Sequence, residues 1–172
     1  MRRPISVRVV GPLEWVVYPA LVAMALTILL ATPLRLFGLS LPEPVFPLVL
    51  AFAWPMIRPS ALGPVVLFGL GLFLDLFWGG PMGLWALSLM AVYGFMLIMR
   101  IFMSGHATIV NFGLYAGSVV LAYFIAYLVT VLQTDNAPAI MPLVGQMLPT
   151  LLLFPVADWL MQKFDDNDVR FM

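Results

Sequence analysis

Phe68-Gly-Leu-Gly71-Leu-Phe-Leu-Asp75-Leu-Phe-Trp78-Gly79-Gly80-Pro81-Met-Gly83-Leu-Trp85-Ala-Leu87 is the stretch on which the fold turns. An apolar helix runs into it and a second leaves it. Between them lie one carboxylate and a turn built from Gly79, Gly80, Pro81 and Gly83. Asp75 is the only charge between Arg58 and Arg100. A charged side chain at a bilayer centre costs about 2.5–3.5 kcal/mol on the insertion scale, and less toward an interface, so something should hold it. At helical spacing Asp75 shares a face with Pro64, Phe68, Gly71 and Gly79. Gly71 then leaves a notch for another helix or a lipid headgroup. One reading sends the carboxylate to the headgroups. The other gives it a fixed contact, either to Arg35 or to a partner protein, and is favoured because Asp lacks the apolar stem that lets Lys and Arg snorkel. The glycines permit positive φ and Pro81 fixes its own. With no basic residue beside it, the turn reads as structural rather than as a phosphate cradle.

Composition sets the solvent. The chain is 63% hydrophobic and 9% charged, with a mean hydropathy of +1.07, against about 25% charged in ordinary soluble domains. That is too little polar surface for a water-soluble particle, and an all-α polytopic membrane protein follows. The zero net charge provides no basic face for nucleic acid. Without Cys there is no disulfide, thiolate metal site or Cys nucleophile. The N-terminal Arg2, Arg3 and Arg8 precede an apolar run from Trp15, as in a signal peptide, but Leu30-Ala-Thr-Pro33-Leu lacks a small-residue cleavage pattern. An uncleaved first span is expected.

Six spans are expected, at about 15–31, 41–57, 61–77, 84–102, 110–131 and 142–160, in a single transmembrane domain covering 1–172. The second is short and holds Pro47 and Pro55, so a re-entrant path competes with a crossing one. Charge decides between them. With both termini in the cytoplasm, Arg2, Arg3, Arg8, Arg58, Arg100, Lys163 and Arg170 lie inside and only Arg35 outside, as the positive-inside rule asks. Omitting the second crossing inverts everything after it and destroys that asymmetry. Trp15, Trp54, Trp78, Trp85 and Trp159 fall near span ends, where indoles favour headgroups. Tyr93 and Tyr123 lie deeper and need partners inside a bundle.

Catalytic constellations are not evident, and no cofactor or metal is expected. Asp75 and Asp158 are placed at opposite ends of the bundle, too far apart for an aspartyl dyad. Asp158 reads as an interfacial charge answered by Lys163 or a neighbouring base. His106 has only Ser104 near it and no third group. Small residues form ridges at Ala23, Thr27 and Ala31, and at Gly113, Gly117, Ser118, Ala122 and Ala126, which suit close helix contact. The acidic end, Asp165-Asp-Asn-Asp168, reads as a solvated terminus.

Trp54-Pro-x-x-Arg58-Pro, Phe68-Gly-x-Gly-Leu-x-x-Asp75-Leu and Gly80-Pro-x-Gly83-Leu-x-Ala-Leu87 together resemble the rod shape-determining MreD family. The detailed likeness runs from Trp54 to Leu87; elsewhere it is one of hydropathy. The resemblance implies a non-enzymatic, multi-pass component of the bacterial inner membrane. Its expected partners are membrane lipids, an MreC-like protein, the actin-like MreB, RodA and a penicillin-binding transpeptidase. It also implies a bundle similar to the substrate-binding S-components of energy-coupling-factor transporters. A vitamin-type transporter subunit is therefore the alternative, although the outer half offers few polar groups beyond Arg35, Asp75, Gln133, Asp135 and Asn136. Asp75, Gly71, Gly79, Gly80, Pro81, Gly83, Arg58 and Arg35 are the residues expected to serve partner contact or structure.

Overall fold

A computed structural model describes residues 8–11, 13–31, 35–36, 39–40, 42–102, 108–134, 138–165 and 169–171. The chain is helical. A wide π-type turn, Leu13–Val17, leads into α1 (Tyr18–Leu30), followed by α2 (Phe46–Ile57), α3 (Leu62–Trp78), α4 (Leu84–Phe102), α5 (Thr108–Thr134), α6 (Ile140–Leu151) and α7 (Phe154–Asp165). Two short ladders complete it. In one, β1 (Arg8–Val10) pairs in parallel with β4 (Val169–Phe171); in the other, β2 (Arg35–Leu36) pairs antiparallel with β3 (Leu39–Ser40). Three helical segments are long and apolar enough to cross a membrane: Leu84–Phe102, Thr108–Thr134 and Ile140–Phe164. Glu14–Leu30, Phe46–Ile57 and Leu62–Trp78 are shorter apolar helices.

The short second helix is the centre of the bundle. Every residue from Pro47 to Pro55 is buried, because α1, α3, α4 and α7 pack around α2. A helix that is apolar all round and enclosed by others is hydrophobic for packing, not for lipid. The expected start near Leu41 is corrected. Helix α2 begins at Phe46, with Pro47 in its first turn, where the missing N–H is harmless. It ends at Arg58, whose N–H bonds Trp54 O at 2.9 Å and whose extended backbone suits the residue before Pro59. Arg100 Nη1 donates to Pro55 O at 3.2 Å, satisfying one of the orphan carbonyls of the last turn.

The expected last span falls within Ile140–Phe164 and is divided into α6 and α7 by a turn at Leu152–Leu153. Proline has no N–H and its ring collides with the carbonyl four residues earlier, and α6 ends at Leu151, four residues before Pro155. Leu153 N–H turns back to Thr150 O at 3.2 Å, and α7 restarts with Val156 N–H on Leu153 O at 2.9 Å. Trp15, Trp54 and Trp85 are buried in the core, and Trp159 is the one largely exposed indole among the described residues. The ridge on α1 packs inward through Ala20, Ala23 and Thr27. That on α5 divides, with Ser118, Ala122 and Ala126 buried and Gly113 and Gly117 exposed.

Candidate functional site

Asp75 lies in the last turn of α3 and is 1% exposed. Its Oδ2 accepts the Gly83 N–H at 2.8 Å and its Oδ1 accepts the Trp85 N–H at 2.8 Å. Its own carbonyl accepts the Gly79 and Gly80 N–H groups. One residue therefore gathers four backbone donors from the turn and from the start of α4. The carboxylate sits at a helix N-terminus, where unpaired N–H groups and the macrodipole favour an anion. It is a cap supplied by the preceding helix. Neither the headgroup reading nor a need for an outside partner survives, since each oxygen already has a donor. The Arg35 side chain, expected as that partner, lies outside the described residues.

The glycines explain how the two helices come close enough. A Cβ on Gly71 would stand 2.3 Å from Ala86 Cα and 2.5 Å from Ala86 N. The notch is thus filled by α4 of the same chain. Gly79 (φ 65°) and Gly83 (φ 90°) take left-handed conformations that L side chains rarely adopt. Gly80 does not, and Pro81 O accepts the Leu84 N–H at 3.2 Å. Arg58 belongs to the far end of the bundle. From Leu62 to Asp75, α3 rises about 20 Å, so the predicted residues form one corner and one distant helix end.

A polar and aromatic lining surrounds this corner. Trp78 Nε1 donates to Glu43 Oε2 at 3.0 Å; Trp85 meets Trp78 and Tyr123 edge to face, each at 5.5 Å between ring centroids. Beneath lies a second knot. Thr150, wholly buried, takes the Val45 N–H on its Oγ1 at 3.2 Å and shares a 3.1 Å bond with Tyr123 Oη. Its carbonyl accepts Tyr115 Oη at 2.8 Å. Tyr123 thus finds a buried partner, and Tyr93 donates to Ser60 O at 3.1 Å. Asp158 is answered by Gln162 Nε2 at 2.6 Å, not by Lys163, whose Nζ lies 4.7 Å from the Trp159 ring centroid.

A hollow of about 380 Å³ opens beside the corner, lined by Glu43, Trp78, Trp85, Thr130 and Gln146 among others. Sequence reading missed Glu43, Thr130 and Gln146 here. The one available signal was Pro42-Glu43-Pro44, a charge held between two stiff residues. A larger apolar groove of about 470 Å³ runs between α1 and α7 over α2. Among the described residues no group of three or more His, Asp or Glu side chains could hold a metal. His106 and Ser104 lie outside them. The hydrogen bonds of the Asp75 carboxylate to described residues go to backbone N–H groups, and they join α3 to the start of α4. No family model, curated protein or solved structure matches the chain.

Proposed function

We propose that the protein is a non-enzymatic assembly component of a bacterial inner membrane, acting in cell-wall elongation as MreD proteins do. The observation that carries this reading is the α3–α4 corner. Asp75, Gly71, Gly79 and Gly83, the residues that bear the family likeness, are the ones that lock the two helices together. A rigid apolar body of this kind, with short connections, has its helix faces to offer. Leu21, Val22 and Leu29 on α1, and Val120, Phe124 and Leu132 on α5, are exposed, which suits contact with lipid and with the spans of an MreC-like protein, RodA and a penicillin-binding transpeptidase.

Six crossings belong to this proposal. The β1–β4 ladder pairs Arg8–Val10 with Val169–Phe171, which supports an even number of crossings. Three long spans alone would give an odd number, so the ladder supports crossing by the shorter apolar helices as well. In its own host, loss of the protein should turn rods into spheres, and affinity purification from native membranes should recover the elongation partners. Normal rods without it, and no such partner recovered, would refute the assignment.

A further inference from the structure

The hollow beside the α3–α4 corner has a donor–acceptor character that the assembly role does not use. Among the described residues, the Glu43 carboxylate has one partner, Trp78 Nε1 on Oε2, and no cationic one. The Gln146 side-chain amide makes no hydrogen bond there either, since only its backbone carbonyl is engaged, by Thr150 Oγ1 at 2.8 Å. The Thr130 hydroxyl spends its hydrogen on Ala126 O at 2.8 Å, which leaves it only lone pairs to present. All three residues line the same space of about 380 Å³. A carboxylate, an amide oxygen and a hydroxyl whose proton is spent supply three acceptors. The group that complements them is a primary ammonium, which has three donors and no acceptor. Trp78 and Trp85 line the same hollow, and indole is the side chain that attracts cations most strongly.

The walls are fixed in place. The segment carrying Glu43 is tied to α6 by the Val45 N–H on Thr150 Oγ1. It lies so near that a Cβ on Gly145 would stand 3.4 Å from Pro42 Cγ. Trp78 and Trp85 flank the Asp75 cap. We propose that this hollow binds a primary ammonium group, carried either by an ethanolamine phospholipid or by a water-soluble amine. The proposal goes beyond the assembly reading and is tested on the purified protein alone.

The experiment titrates detergent-purified protein with dioctanoyl phosphatidylethanolamine, dioctanoyl phosphatidylcholine and free ethanolamine, followed by tryptophan fluorescence and native mass spectrometry. The ethanolamine lipid should bind at least tenfold more tightly than the choline lipid, whose quaternary nitrogen has no N–H. Glu43→Gln keeps an acceptor for Trp78 but removes the charge, and should weaken binding at least tenfold with an unchanged elution profile. Gln146→Leu should weaken it as a second, uncharged test. Saturation by free ethanolamine as strong as by the lipid identifies a soluble amine; saturation by the lipid alone identifies a headgroup. Equal binding of the two lipids, no binding of either amine, or full binding by folded Glu43→Gln would overturn the proposal.

Discussion

At the scale of the residue, Asp75 shows how one buried charge becomes tolerable. The carboxylate gives up water for two backbone N–H groups at 2.8 Å, one on each oxygen. Charge-assisted bonds of this kind are shorter and stronger than neutral ones. Removing the acid therefore does not merely relieve a desolvation cost. Asp75→Ala would leave the Gly83 and Trp85 N–H groups without acceptors beside a buried cavity, at about 1–3 kcal/mol for each unsatisfied group. The expected result is a lowered unfolding midpoint in detergent and less protein in the membrane, with any shape defect following from that loss. Asp75→Asn keeps one acceptor oxygen but turns an NH₂ toward the second donor, and should fall between wild type and Asp75→Ala. A wild-type midpoint for Asp75→Ala would show that the cap contributes nothing. Thr150 makes the same argument without charge. Thr150→Val preserves shape but strips the Val45 N–H and Tyr123 Oη of their shared partner, and should cost about 1–3 kcal/mol, read from the same unfolding curves.

At the scale of the element, the α3–α4 pair is the part of the fold most legible in sequence. Helix α4 occupies the expected 84–102, and α3 is displaced by one residue. The reason is punctuation: Gly79, Pro81 and Gly83 leave a helix no way through, and Arg58-Pro59 limits the other side. The rest was less legible, each part for its own physical cause. Hydropathy does not tell lipid from protein interior, so it could not show that α2 is enclosed by α1, α3, α4 and α7. Pro155 was visible, but whether a proline kinks or breaks a helix depends on neighbours that take up the freed carbonyl. The partners of Asp75 were hidden because they are backbone N–H groups, which every residue but proline carries. Thr150 was passed over since a single Thr in an apolar helix has no distinctive spacing. Gly71 and Gly69 offer a paired test of the helix contact. Gly71→Ala drives a methyl group into Ala86 backbone atoms 2.3–2.5 Å away, which no rotamer change relieves. It should lose about 1–3 kcal/mol of stability or more. A Cβ on Gly69 meets nothing within 4 Å, so Gly69→Ala should be neutral or stabilising by up to about 1 kcal/mol. Equal midpoints for the two variants would mean that α3 and α4 do not touch at Gly71.

At the scale of the whole molecule, the ends of the chain and the α3–α4 corner should be separated by the membrane. The sequence puts seven of eight basic residues on one side when the helices cross six times. The ladder between Arg8–Val10 and Val169–Phe171 independently joins the two ends, in a feature that hydropathy could not foretell because it lies outside every span. The absence of cysteine gives a clean background for testing both. Gly80 is the suitable reporter in the turn: it is exposed, has no positive φ, and a Cβ there meets nothing within 4 Å. Gly79 and Gly83 would be strained by any side chain. Val9 and Arg170 are register partners, and neighbouring strands lie about 4.7–4.9 Å apart, within the Cα separation a disulfide accepts. In intact spheroplasts an impermeant thiol reagent should label Gly80→Cys and leave Val9→Cys unlabelled until the membrane is opened. Oxidation of the Val9→Cys, Arg170→Cys double variant should give an intramolecular disulfide that neither single variant forms. Labelling of Val9→Cys with protection of Gly80→Cys would invert the orientation. Failure of the disulfide, together with labelling at Arg170→Cys but not at Val9→Cys, would require an odd number of crossings and return α2 to a re-entrant path.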